Sequence, residues 1–159
     1  MAVEDKYVVS GNVLGENFNG GGSLRKSIIS FEVDSADSDG SLYRLMSLTG
    51  NTIITNVLIG NDAITSGTDY DLGFYDKDGG AVVVANVLLD AGNLSGAHVS
   101  GSELSGMSNV DVANRGKQIY ELLSKTQLTK AESYDLCLLA NTVGSATGTV
   151  TVIVDYIVV

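Results

Sequence analysis

Alternation of apolar and polar positions is clearest in the last residues of the chain. From Val150 to Val158 every second residue is Val or Tyr, so these side chains share one face of an extended strand. The positions between them begin with Thr149 and end with apolar residues. Because β-branched and aromatic residues fit a pleated, half-buried surface, the pattern predicts a long strand over residues 149–159. A strand this apolar needs cover on both faces near its end, from a second sheet or from another subunit.

Shorter apolar runs, separated by turn residues, predict further strands. Gly50 and Asn51 form one predicted turn, residues 76–80 form a hairpin loop, and residues 144–148 form another connection. The chain contains 19 glycines, as a protein with many turns requires. Together with a short strand-like piece at residues 6–10, the predicted strands before the terminal one cover residues 27–33, 41–48, 52–60, 69–75, 81–85 and 134–141.

One segment has helical periodicity. Residues 90–107 are small and polar and are predicted to form a loop, after which Ser108 stands three residues before Asp111, a spacing similar to a capping box. The apolar stripe that follows predicts a helix over about residues 108–126, and it consists of Val112, Ile119, Leu122 and Leu123. The chain is therefore predicted to be all-β, an antiparallel two-sheet sandwich of jelly-roll type with this one helix.

The first 23 residues differ from the rest in composition. Gly, Asn and Ser dominate residues 11–23, which is typical of a flexible linker. We expect an N-terminal arm over residues 1–23, which reaches over a neighbouring subunit or another protein, and a β-sandwich domain over residues 24–159. A frayed terminus with incidental apolar residues is the alternative. The predicted partner-binding residues are the apolar ones set among these glycines: Tyr7, Val8, Val9, Leu14 and Phe18.

Charge excludes several classes of partner. The chain of 159 residues has 19 acidic and 9 basic residues and a net charge of −10, and Arg25–Lys26 is its only adjacent basic pair. Binding to a phosphate backbone requires clustered Lys and Arg, so we expect neither nucleic acid nor an anionic membrane as a partner. No segment approaches the ~20 apolar residues needed to span a bilayer, and the N-terminus does not resemble a signal peptide. We therefore expect synthesis and folding in a cytoplasm.

Few residues offer catalytic chemistry. His98 is the only histidine and Cys137 the only cysteine, so a conventional zinc site and a disulfide within the chain are both excluded. Cys137 lies in an apolar run, where a buried, unreactive thiol is the expected state. Asp69 and Asp71 could act as paired carboxylates of a glycoside hydrolase, but the chain has no Trp to form a sugar-stacking platform. The sequence thus predicts no enzyme, no catalytic residues and no cofactor.

Two aspartate-rich loops leave calcium binding open as an alternative. Asp34, Asp37 and Asp39 precede Gly40, and residues 76 and 78 are aspartates that precede Gly79, an arrangement similar to the first half of a calcium loop. In both loops the twelfth position, where a bidentate Glu belongs, is apolar. Solvated turn aspartates are therefore the favoured interpretation, and no metal site is predicted.

Several whole segments resemble the head-decoration, or capsid-cement, proteins of tailed phages. They are FEVDSADSDGSLYRL (31–45), GTDYDLGFY (67–75) with GGAVV (79–83), VDVANRGKQIYELL (110–123) and YDLCLLANTVG (134–144) together with the terminal strand. The resemblance covers the body of the chain and leaves residues 1–23 unmatched. It contains no catalytic signature.

The resemblance implies a virion structural protein that decorates and stabilises the outside of a phage capsid by bridging shell subunits. Its expected partners are the major capsid protein and other copies of itself, with a homotrimer favoured over a dimer. Its expected location is the capsid surface, after synthesis in the host cytoplasm. The alternatives are a surface binding module, such as a calcium- or sugar-binding sandwich, and another virion part such as a head-fibre base.

Overall fold

The computed structural model describes residues 3–7, 23–127 and 131–159. Strands dominate these residues, as the alternating pattern predicts. The strands are β1 (Asp5–Tyr7), β2 (Leu24–Val33), β3 (Ser41–Thr49), β4 (Thr52–Asn61), β5 (Asp69–Asp76), β6 (Val82–Gly92), β7 (Leu104–Ser105), β8 (Ser133–Thr142) and β9 (Gly148–Val158).

The strands form two stacked sheets with the strand order of a jelly roll. One sheet has the order β1-β3-β8-β5-β6 and the other β2-β9-β4-β7. All neighbouring strands are antiparallel except β1, which runs parallel to β3. Because consecutive strands from β2 to β5 alternate between the sheets, the two inner faces close over one core. The predicted all-β sandwich of jelly-roll type is confirmed.

The predicted terminal strand is the centre of the four-stranded sheet. Every second residue of β9, from Val150 to Tyr156, is buried against the opposite sheet. Across the core, Phe31 of β2 and Tyr43 of β3 bring their ring centroids to 5.2 Å. The outer side chains of β9 are half-buried, so one face of this strand is covered by the second sheet and the other is not.

The predicted helix is present, but its predicted length is wrong. The structure has one turn of 3-10 helix at Val112–Asn114 and a short α-helix, α1, at Ile119–Leu122. Gly116 separates them with a φ of +85°, a conformation that does not continue a right-handed helix. The N-cap of α1 is Gln118, which forms a capping box with Glu121, and not Ser108. Val112, assigned to the buried stripe, is 88% exposed.

The loops gather at two opposite ends of the sandwich. Residues 34–40, 62–68 and 143–147 meet at one end, where the Ser145 amide bonds to the Thr65 carbonyl at 2.7 Å. We call it the acidic end. The turn at residues 50–51, the turn at 77–81 and the helical residues 111–125 lie at the opposite end, where the Tyr120 amide bonds to the Gly50 carbonyl at 2.9 Å. We call it the helix end.

Strand β1 lies along the chain's own sandwich, on the outer edge of β3. Its backbone pairs Asp5 with Leu42 and Tyr7 with Arg44. The Arg44 guanidinium, 4% exposed, donates to the Asp5 carboxylate at 2.9 and 3.2 Å and to Asp135 at 3.1 Å. It also donates to the backbone carbonyl of Gly80 at 3.0 Å. One buried cation therefore ties β1 to β3, β8 and the β5–β6 turn.

A second charge pair holds the middle of β1. Lys6 Nζ donates to both carboxylate oxygens of Asp37 at 2.7 Å, and the Tyr43 hydroxyl donates to the same carboxylate at 2.7 Å. Asp37 is 7% exposed. Burial by itself would raise the pKa of Asp37, but the hydrogen bonds from Lys6 and Tyr43 outweigh it and hold this pKa below its ordinary value. Burial, assisted by Asp37, raises the pKa of Tyr43 far above its ordinary value.

The other residues of the predicted arm remain a prediction. Val8, Val9, Leu14 and Phe18 lie outside the described residues. Of Tyr7 the structure describes the backbone, at the end of β1.

Strand β6 is longer than predicted, because a large bulge interrupts the alternation of apolar and polar residues along it. Two steps along β5, from Leu72 to Phe74, correspond to five steps along β6, from Leu89 to Val84. The bulged backbone lies directly over Gly73, where a Cβ atom would overlap the carbonyl oxygens of Val84 and Ala85. Gly73 is therefore required by close backbone approach.

We expect Gly73→Ala to lower the free energy of unfolding by about 1–3 kcal/mol, because the added methyl must displace the backbone of β6. Urea unfolding at one protein concentration measures the loss. Gly96→Ala is the matched control, since nothing lies within 4 Å of its Cβ position, and it should stay within about 0.5 kcal/mol of the original protein. Equal unfolding midpoints for the two variants would contradict this account.

We expect Asp37→Asn to destabilise the protein by about 1–2 kcal/mol at neutral pH, because it removes the charge that binds Lys6 and Tyr43. Since the folded pKa of Asp37 lies below the ordinary value of 3.8, its stabilisation is present above that value and is lost as the pH falls through the folded pKa. The difference between the two proteins should therefore shrink below about pH 4. Unfolding at a series of pH values tests this, with the exposed Asp78→Asn as control. A difference that stays constant down to pH 3 would count against it.

Candidate functional site

The histidine and the cysteine, the two side chains best suited to nucleophilic chemistry, both serve the fold. His98 Nδ1 lies 2.7 Å from Asn61 Oδ1, and the backbones of the two residues form an isolated β-bridge. Cys137 is completely buried in β8, and this burial raises the pKa of its thiol to about 12. Its thiolate is therefore almost absent at neutral pH, and it is a poor nucleophile.

The two carboxylates that could serve in glycoside hydrolysis, Asp69 and Asp71, connect β5 to β8, and Asp71 also connects β5 to β6. The Asn141 side-chain amide of β8 donates to Asp69 at 3.1 Å and to Asp71 at 2.8 Å. The other oxygen of Asp71 accepts from the backbone amide of Ala91 in β6 at 3.0 Å. Both carboxylates thus accept hydrogen bonds from the fold itself.

The aspartates of the first acidic loop are likewise acceptors for nearby groups. Asp34 accepts from the Ala36 amide at 2.9 Å, and Asp39 accepts from the Val143 amide at 2.9 Å. Asp37 belongs to the pair with Lys6. Within residues 3–7, 23–127 and 131–159, no group of three or more His, Cys, Asp or Glu side chains is placed to hold a metal ion.

The concavities formed by the described residues outside the core include an apolar one and a polar one. One, of about 460 Å³, is a mostly apolar depression on the outer face of the five-stranded sheet, bordered by Leu42, Arg44 and Tyr75. The other, of about 350 Å³, lies between β6 and α1 and is lined by polar residues that include Asn86 and Lys117. In the first, the charged Arg44 is already engaged by Asp5 and Asp135.

The outer face of the four-stranded sheet carries two aliphatic rows across β2, β9 and β4. Because facing residues are fixed by the strand register, each row is a line of three neighbouring side chains. Leu24 is 65% exposed and Ile28 is 45% exposed. We call them the outer rows: the first is Leu24, Ile157 and Ile53, and the second is Ile28, Ile153 and Leu58.

A charged pair separates the outer rows. Lys26 Nζ lies 3.5 Å from Asp155 Oδ1, and these two residues are register neighbours. Asp155 Oδ1 is buried without a hydrogen-bond partner within the protein. The centre of this face is therefore electrically neutral and mostly apolar, although the chain has a net charge of −10. Apolar patches of this kind on a soluble protein mark interaction sites.

Charge is divided unequally between the ends of the sandwich. At the acidic end, the described basic residue is Lys6, which is paired with Asp37. The acidic residues that lie there, in the loops or at the adjoining strand ends, are Glu4, Glu32, Asp34, Asp37, Asp39, Asp62, Asp69, Asp71 and Asp90. At the helix end the two signs nearly balance, with Lys77, Arg115, Lys117 and Lys125 against Asp76, Asp78, Asp111, Glu121 and Glu132.

The sequence alone does not predict that the outer rows form one surface. The signal was present, because the second face of the terminal strand turns apolar at Ile153 and Ile157. The missing information was the register, which places Leu24 and Ile28 beside those residues.

Among the described helices, none is long and apolar enough to cross a membrane.

Comparison with known proteins gives a structural likeness without a sequence relationship. No protein-family model matches the sequence, and no curated protein sequence matches it. The fold is similar to that of a chain in the capsid of Ralstonia phage GP4, with a TM-score of 0.61 and 15% identity over 87% of this chain and 86% of that one. A chain in the acidic stable capsid structure of Helicobacter pylori bacteriophage KHP30 gives a TM-score of 0.53 and 14% identity, over 87% and 90% of the two chains. These likenesses show that the chain shares its fold with chains found in phage capsids.

Proposed function

We propose that this protein is a virion structural protein that decorates the outside of a phage capsid and stabilises it by bridging shell subunits. The observation that carries the proposal is the pair of outer rows, a partly exposed aliphatic surface on an otherwise acidic chain. The fold shared with chains of two phage capsids supports the virion assignment. The proposed role is non-enzymatic, and this is supported by the hydrogen bonds of His98 and Asp71 within the fold and by the burial of the Cys137 thiol.

Self-association is part of the proposal, with a trimer favoured over a dimer. The outer rows leave β9 covered on one face only, and contact between copies would bury the other. A trimer attaches to the shell at several points, so breaking one contact does not release it. The major capsid protein is the proposed partner, and the capsid surface is the proposed location.

The N-terminal segment is proposed as a second binding element. Its apolar residues Tyr7, Val8, Val9, Leu14 and Phe18 stand among glycines, which are too conformationally free to pack them locally at low entropic cost. Strand β1 fixes one end of this segment to β3 and β2 fixes the other to the opposite sheet. A segment held at both ends can extend over a sister subunit or over the shell.

We expect the protein to co-sediment with expanded, decoration-free shells, and Ile28→Asp to weaken this binding by about tenfold or more, because a charge in the outer rows disfavours self-association and therefore multivalent attachment. Light scattering should give three times the monomer mass of 16.5 kDa for the original protein and a lower mass for the variant. Ser30→Asp adds the same charge to the same strand face outside the rows and should leave both results unchanged.

Failure of the original protein to bind shells would overturn the proposal. A melting temperature raised by calcium and not by magnesium would then favour a calcium-binding module. Glycan turnover that is lost in Asp69→Ala would favour an enzyme. Binding to an isolated fibre component and not to shells would favour a head-fibre base.

We expect deletion of residues 1–22 to leave the sandwich folded and to weaken shell binding or oligomerisation. The deletion also removes the hydrogen bonds of Asp5 and Lys6 to the body, so melting should shift modestly. Asp5→Asn with Lys6→Gln in the full-length chain is the matched control for that loss, because it weakens β1 and keeps the apolar segment. A deleted chain that unfolds would show that β1 belongs to the core, and a chain that binds as well as the control would remove the arm from the mechanism.

A further inference from the structure

Among the exposed aliphatic side chains at the helix end, Val112 and Val82 lie outside the outer rows. Val112 is 88% exposed and Val82 is 55% exposed. Val112 stands on the 3-10 turn, which is held by a hydrogen bond from the Arg115 amide to the Asp111 carbonyl at 3.2 Å. The turn then ends at Gly116. An ordered backbone thus presents Val112 to the outside, and an ordered apolar side chain loses little conformational entropy when it is buried by a partner.

The nearly balanced charge of the helix end makes it better suited than the acidic end to contact another protein. Lys117 and Arg115 follow Val112 closely, and the acidic residues of the helix end nearly balance its basic ones. At the acidic end, many carboxylates lie near one described basic residue, Lys6, which is already paired with Asp37. Desolvating many like charges against a partner is unfavourable, whereas an apolar, charge-balanced surface can be buried.

The course of the chain points the same way. Strand β1 runs parallel to β3, from the acidic end toward the helix end, and its last residue is Tyr7. The next described residue is Ser23, which precedes Leu24 at the helix end of β2. At both of these described points, the end of β1 and the start of β2, the backbone is directed along the axis that leads to the helix end.

We propose that the helix end contacts the capsid shell and that the acidic end faces the medium. This inference rests on the proposed function and adds the orientation of the protein on the particle. The partner surface is an apolar patch of the shell protein bordered by acidic side chains, which receive Arg115 and Lys117. The acidic ends of neighbouring copies then point outward and keep decorated particles apart by repulsion.

The test compares three single variants that add one negative charge to an exposed valine. Val82→Asp and Val112→Asp change the helix end. Val99→Asp is the matched control, because this valine is 64% exposed and follows His98, which is bridged to Asn61 next to the acidic end. Binding to expanded, decoration-free shells is measured by co-sedimentation over a range of protein concentrations, with melting temperature and light-scattering mass recorded for every variant.

We expect the two helix-end variants to bind about tenfold or more weakly and the control to bind as the original protein does, all with unchanged mass and melting temperature. Weakened binding confined to Val99→Asp, or equal weakening in all three variants, would overturn the orientation and leave the proposed function standing. No binding by the original protein would overturn the function and the orientation together.

Discussion

Neither sheet is complete until the last two strands are in place. β9 lies between β2 and β4, and β8 lies between β3 and β5. The register joins Leu24 to Ile157 and Ser41 to Ala140, pairs that are 133 and 99 positions apart in the sequence, so each pairing closes a long loop, which is entropically unfavourable. The outer rows draw residues from β2, β4 and β9. The fold and its candidate interaction surface therefore depend on the same long-range pairings of β9.

Buried charged residues on the outer face of the five-stranded sheet connect its strands to one another. Arg44 and Asp135 are both almost completely buried and lie 3.1 Å apart. A buried ion pair of this kind adds little net stability, but removal of one partner leaves the other charge uncompensated. Asp71 connects strands by hydrogen bonds without an ion pair, since its two oxygens accept from Ala91 of β6 and Asn141 of β8.

The local alternation of apolar and polar residues was enough to predict most of the strands, but it did not predict the outer rows. Alternation alone was enough for β9, because its buried residues recur at every second position. It failed at β6, where the bulge over Gly73 changes the face of successive residues. It also failed at the predicted helix, where Gly116 outweighed the apolar spacing of Val112 and Ile119. The outer rows required the pairing of Leu24 with Ile157, and no local pattern contains a register between residues so far apart.

Cys137 gives the protein an internal reporter of its own motion. The thiol is fully buried in β8, next to Arg44 on β3 and Gly73 on β5. The thiol lies on the outer face of the five-stranded sheet, where Leu42 and Tyr75 pack over it. A thiol reagent can reach it only when these side chains move aside, so the rate of modification of the native protein measures the frequency of that local opening. As the chain has no other cysteine, the signal comes from one position. Comparison of this rate before and after assembly would measure how far a partner suppresses local unfolding.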